Sequence, residues 1–150
     1  MSKPSLDDLA SRLQTLEDER GILQTLNDYC HFVDYHMERE WVELFVEDAV
    51  YDVRYRQKDM QSARIVGRAE LARRVSGARG KMQKHLMSMP RIAITGDTAQ
   101  AESYLTVLID RGGIPWLWRF GRFRDRLVKR NGRWLFQERI IEVDLTTSEA

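Results

Sequence analysis

Cysteine is almost absent from this chain. Cys30 stands alone among 150 residues, so no disulfide can form within the chain, and a reducing compartment suits it. An excess of one charge is absent too. The 24 basic and 23 acidic residues leave a formal net charge of +1, where a dedicated nucleic-acid binder would show a clear basic surplus. No apolar run approaches the roughly 18 residues that a membrane-spanning helix needs. The opening stretch, Met1 to Asp8, carries acids and no apolar segment, unlike a signal peptide. A cytoplasmic protein working away from nucleic acid and membranes is therefore expected. No Gly-x-Ser-x-Gly elbow and no glycine-rich phosphate loop after a strand are present. The basic runs Arg54 to Lys58, Arg73 to Lys81 and Arg119 to Arg130 are broken by apolar, small or acidic residues. They fit solvated surfaces better than a phosphate track.

What is present has a clear order, helices first and strands after. Ser5 followed by Asp7 and Asp8 is a helix start, and Leu6, Leu9, Leu13 and Leu16 recur at helical spacing. Gly21 is a candidate bend or break. A second stripe follows through Ile22, Leu26, Tyr29, Val33 and Met37, with Asp34 at the edge of the buried face. Glu38 to Val46 has the pattern of a short helix, and Ala49 to Tyr55 that of a strand with Tyr51, Val53 and Tyr55 on one face. Arg64 to Val66 suits a short strand. Gly67 leads into a helix over Arg68 to Val75, stopped by Gly77 and Gly80. Four longer strands come next: Met82 to Thr95, Thr98 to Asp110, Ile114 to Lys129 and Arg133 to Asp144. Pro90 marks an edge or a bulge in the first of them, and Asn131-Gly132 is a hairpin turn before the last. No repeat, linker or low-complexity segment divides the chain, so residues 1–150 form one domain. The expected class is α+β: a curved antiparallel sheet, cone-shaped, wrapped around a long N-terminal helix and short helices, with an internal pocket.

Histidine is scarce, and its placement draws attention. His85 shares a strand face with Met87 and Met89, a poor way to build a core and a reasonable way to give a small-molecule pocket one proton-handling group. Tyr29, Tyr51 and Tyr55 could donate hydrogen bonds to a polarised carbonyl. Trp116, Trp118 and Phe120, alternating on one strand face, could stack on a flat ligand. His31 and His36 lie about 140° apart on a helix of 3.6 residues per turn, so they do not form a metal pair, and no Cys/His cluster supports one.

Three runs carry a resemblance over nearly the whole chain. Tyr29 to Val50 (YCHFVDYHMEREWVELFVEDAV) and Lys84 to Ala99 (KHLMSMPRIAITGDTA) look like parts of the SnoaL-like domain family, within the nuclear transport factor 2-like superfamily. Gly121 to Asp144 looks like its closing hairpin. The motif spacing is most similar to scytalone dehydratase and its bacterial relatives, which pair a helix aspartate with a strand histidine. The resemblance implies that Asp34 and His85 form such a dyad. It also implies a second histidine on the following strand, where this chain offers Ser103, Tyr104 and Ile109 instead. A pocket tyrosine of that family falls at about Val53, between Tyr51 and Tyr55. Scytalone itself is therefore not the expected substrate.

By that resemblance the chain would be a cofactor-independent lyase or isomerase, acting on an aromatic or polyketide-like small molecule through a His-Asp acid–base dyad. Neither cofactor nor metal is expected. The alternatives are a non-catalytic small beta subunit of an aromatic-ring-hydroxylating dioxygenase, which shares the fold, and a module that binds its ligand without converting it. Sheet backs commonly pair in this superfamily, and the dehydratase resemblance implies a trimer, so a homo-oligomer is expected.

Overall fold

The computed structural model describes residues 3–75 and 82–147. Its elements run α1 (Leu6–Asp34), α2 (Glu38–Val42), β1 (Phe45–Tyr55), β2 (Ala63–Val66), α3 (Arg68–Val75), β3 (Gln83–Met87), β4 (Arg91–Thr95), β5 (Thr98–Arg111), β6 (Ile114–Arg130) and β7 (Arg133–Thr146). Gly77 and Gly80, the expected stop of the third helix, lie outside the described residues.

The start of α1 is fixed by a capping box. The Asp8 N–H donates to Ser5 Oγ, and the Ser5 N–H donates back to the Asp8 carboxylate. The helix then runs unbroken through Gly21. That glycine serves packing and not bending: a Cβ there would come 2.9 Å from Trp134 Cδ1. Trp134 of β7 is tied to the same helix stretch at two points. Its Nε1–H donates to Asp18 Oδ1 at 3.0 Å, and its carbonyl accepts from Thr25 Oγ1 at 2.6 Å. Ile22, Leu26 and Tyr29 then bury against the sheet.

The sheet order is β2-β1-β7-β6-β5-β3, with β4 also paired to β5. The sheet is curved and unclosed, since β2 and β3 remain edges. Neighbours are antiparallel except β1 and β7, which run parallel. The sheet is therefore mixed where an antiparallel one was expected. Strands β1 and β7 come from opposite ends of the chain, so no hairpin fixes their relative direction.

Two stretches differ in kind from the sequence reading. The second helix stops at Val42, and Phe45 opens β1 instead of closing a helix. The Phe136 N–H donates to the Leu44 carbonyl at 2.8 Å and draws the chain into the sheet there. The run Leu44-Phe45-Val46 is apolar throughout, and a short apolar run fits either element. The expected strand Met82 to Thr95 is two strands, β3 and β4. From Met87↔Leu105 to Arg91↔Glu102 the register gains one residue on the β3–β4 side, a bulge at Ser88-Met89-Pro90. Ser88 bridges it: its N–H donates to the Tyr104 carbonyl, and its Oγ accepts from the Tyr104 N–H. Asn131 and Gly132 both take positive φ, as a tight hairpin turn requires.

Beneath α1 the core is aromatic. Tyr29, Phe45, Phe123 and Phe136 meet edge to face or tilted. Arg139 sits among them with no solvent exposure. Its guanidinium lies 3.9 Å from the Tyr29 and Phe123 ring centroids and holds Asp125 through two bonds of 2.8 Å.

Candidate functional site

Asp34 ends α1 and is buried; His85 sits in the middle of the edge strand β3. The two side chains meet. His85 Nδ1 lies 2.6 Å from Asp34 Oδ1, and the His85 backbone N–H donates to Asp34 Oδ2 at 2.8 Å. Both carboxylate oxygens are thus engaged by one residue, which fixes the carboxylate plane and the ring together. The side chains are 5% and 14% exposed, so water competes little for the contact. An ionised carboxylate only accepts, so the matching tautomer carries its proton on Nδ1. Nε2 is then left with a free lone pair. That is the state of a general base.

The cross-strand register shows what shares the concave face with His85. His85 stands opposite Val107 of β5, and Val107 stands opposite Arg119 of β6. The Arg119 guanidinium lies 3.6 Å from the Trp118 ring centroid and 5.5 Å from that of Tyr55. Arg119 was read from sequence as part of a solvated basic run. The structure turns it to the inner face instead. No signal in the sequence could place it, because its facing depends on a bulge between Val107 and Leu108. That bulge also breaks the expected alternation of Trp116, Trp118 and Phe120. Trp116 stands opposite the buried Ile109. Trp118 is the extra residue and packs against the core. Phe120 stands opposite Thr106 and is 40% exposed on the outer face, away from His85. Trp116 Nε1 donates to Thr147 Oγ1, and Arg111 covers its ring.

The tyrosines are close to one another. Tyr29 and Tyr51 hydroxyls are 2.8 Å apart, and burial raises both pKa values, so both stay protonated at neutral pH. Tyr55 and Val53 pack against the core on the same side. Ser103 is buried, and its Oγ has no hydrogen-bond partner among the described residues. Met87 follows His85 on the inner face. Met89 does not: it lies in the bulge and is 91% exposed. An open cleft of about 620 Å³ lies elsewhere, lined by Arg39, Val42, Arg68 and Leu135 among others, and includes neither Asp34 nor His85. Among the described residues no group of three His, Cys, Asp or Glu side chains is placed to hold a metal ion. No helix among them is long and apolar enough to cross a membrane.

Similar proteins share this architecture. A nuclear transport factor 2-like protein with a cystatin-like fold from Novosphingobium aromaticivorans superposes with a TM-score of 0.81 at 26% identity, covering 99% of this chain and 95% of its own. The beta subunit of a candidate aromatic-ring-hydroxylating dioxygenase from the same organism gives a TM-score of 0.76 at 24% identity, covering 90% and 93%. A candidate scytalone dehydratase, again from that organism, gives 0.74 at 23% identity, covering 91% and 90%. No curated protein sequence matches the chain. The SnoaL-like domain model matches residues 14–140, and with that match over most of its length the chain belongs to the SnoaL-like domain family.

Proposed function

We propose that the protein is a cofactor-independent lyase or isomerase, with His85 as its proton-abstracting base and Asp34 as the residue that orients it. The observation that carries this reading is the 2.6 Å contact between His85 Nδ1 and Asp34 Oδ1 in a largely buried setting. His85 Nε2 takes a proton from the carbon alpha to a carbonyl. In a dehydration the C–H electrons form the new double bond, the C–O bond to a beta hydroxyl breaks, and the proton leaves with that hydroxyl as water. In an isomerisation the same proton returns at another carbon. Asp34 stabilises the imidazolium between the two steps. Tyr51, backed by the Tyr29 hydroxyl, and Arg119 are suited to bind the oxygen on which negative charge develops. The concave face, with Trp118, Tyr55 and Met87, forms the pocket for an aromatic or polyketide-like substrate. The candidate scytalone dehydratase among the similar structures supports the reaction class.

The test is exchange and turnover on a panel of beta-hydroxy aryl ketones. Deuterium uptake at the alpha carbon, followed by NMR, reports proton abstraction even where elimination is slow. His85→Ala and Asp34→Asn are expected to lower the rate by about 10²–10⁴, the usual scale of general acid–base catalysis. Undiminished exchange in a folded His85→Ala variant would sink the assignment. Binding of the panel without exchange in the parent protein would leave a ligand-binding module.

One observation favours the second reading, a scaffolding subunit of a dioxygenase. Leu86, Phe120 and Leu145 stand in one row across the outer sheet face and are 52%, 40% and 42% exposed. Such a row suits a partner surface. Copurification with a large iron-containing subunit, abolished by Phe120→Glu, would favour that reading.

A further inference from the structure

Helix α1 carries two apolar stripes, and they face opposite ways. At 3.6 residues per turn the stripe that packs on the sheet, Ile22, Leu26 and Tyr29, lies roughly 150° around the helix from Leu6, Leu9, Leu13 and Leu16. No bend at Gly21 brings the two into line, because the helix is continuous from Leu6 to Asp34. The leucines are 84%, 45%, 57% and 61% exposed. Every described helix residue before Asp18 is exposed, so the first turns of α1 overhang the domain. A free helix of that length is marginal in water, even with the capping box at Ser5. This chain cannot cover the stripe with its own sheet, which the same helix already meets on its other side.

We infer that the overhang is a self-association surface. Two copies pair through the Leu6–Leu16 stripes as a short parallel coiled coil. Leucine spacings of three, four and three are those of alternating seam positions. The flanking charges then choose the partner and its direction. In a parallel pair in register, Arg12 flanks the seam opposite Glu17 of the partner subunit, and Glu17 opposite the partner subunit's Arg12, giving two opposite-charge contacts. An antiparallel pair that matches Leu6 with Leu16 and Leu9 with Leu13 centres near residue 11 and brings Arg12 beside the partner's Arg12. Arg20, the next seam position, would place like charges together. It ends the seam where each helix begins to dock on its own sheet at Asp18. Because the sheets lie on the far sides of the two helices, the pairing leaves the Asp34–His85 site of each copy uncovered by the seam.

The test uses the full chain and measures mass against concentration by sedimentation velocity. The parent protein is expected to associate, and Leu13→Glu to halve the observed mass while circular dichroism and melting stay near the parent. Arg12→Glu and Glu17→Arg should each raise the dissociation constant by about 10-fold or more, and together restore it. Leu13→Cys in a Cys30→Ala background should form an intermolecular disulfide on mild oxidation, as only parallel copies in register bring the two residues together. A parent protein that is monomeric at all concentrations overturns the inference. So does a mass that Leu13→Glu leaves unchanged, a charge swap that fails to restore association, or a Leu13→Cys chain that does not cross-link.

Discussion

The C-terminal turn of a helix carries the negative end of its dipole, and Asp34 adds a buried carboxylate there. Two contacts from His85, one from the ring and one from the backbone N–H, hold that carboxylate in place. The core holds a parallel case. Burial opposes the charge of Arg139, but the Asp125 carboxylate more than compensates, and the guanidinium pKa is raised above its ordinary value. Between these pairs lie three groups kept neutral. Burial pushes the Cys30 thiol up to about 11 from an ordinary 9.0, and raises the Tyr29 and Tyr51 phenols. For such groups the unfolded chain ionises first. Their contribution to stability is complete below the ordinary pKa and is lost as pH climbs through the raised one. Folding stability is therefore expected to fall between about pH 9 and pH 11, measured by urea unfolding across that range. Cys30→Ala should remove one proton's share of the slope, which at its steepest is about 1.4 kcal/mol per pH unit. An identical slope in the variant would show that the thiol does not contribute.

At the scale of elements, bulges decide which residues see the site. The shift between Val107 and Leu108 turns Arg119 inward and leaves Phe120 outside, and the shift between Phe120 and Gly121 presses β6 onto β7. At that point a Cβ on Gly121 would overlap the Glu142 carbonyl oxygen, a backbone atom that cannot swing aside. Gly121→Ala is expected to lower the melting temperature, by an overpacking penalty of about 1–3 kcal/mol or more. A Gly96→Ala control has nothing within 4 Å of its added methyl, although its φ of 57° adds backbone strain of its own. Equal losses in both variants would show that the contact at Gly121 adds nothing. These bulges also mark where the sequence stops being legible. The spacing of Ile22, Leu26 and Tyr29 identified the buried face of α1. Asp34 was legible as a residue at the edge of that helix face, and His85 as an imidazole out of place on a strand. Their meeting came from the family resemblance. A bulge adds one residue without changing composition, so Arg119 on the concave side could not be read, whereas Pro90 did signal the bulge that leaves Met89 in solvent. The parallel β1–β7 pair could not be read either, since no turn joins those strands.

That parallel pair holds the whole molecule together. Without β7 the sheet falls into two pieces, β2-β1 on one side and β6-β5-β3 on the other. Helix α1 also rests on β7, through Asp18 and Thr25 to Trp134. Phe136 and Arg139 supply the centre of the aromatic core from the same strand. Asp34 ends α1 and His85 lies on the edge strand β3, so their contact ties the helix directly to that edge of the sheet, away from the central strand. A chain ending at Gly132 is therefore expected to lose more than its last strand. Its amide NMR spectrum should collapse to the narrow dispersion of an unfolded or loosely packed chain, and thermal unfolding should lose its cooperativity. A chain ending at Thr147 retains β7 entire and should keep both properties, with the His85 ring resonances at their parent positions. A cooperative, well-dispersed chain without β7 would mean that one of the two pieces folds alone, and the strand order would then not be what holds Asp34 against His85.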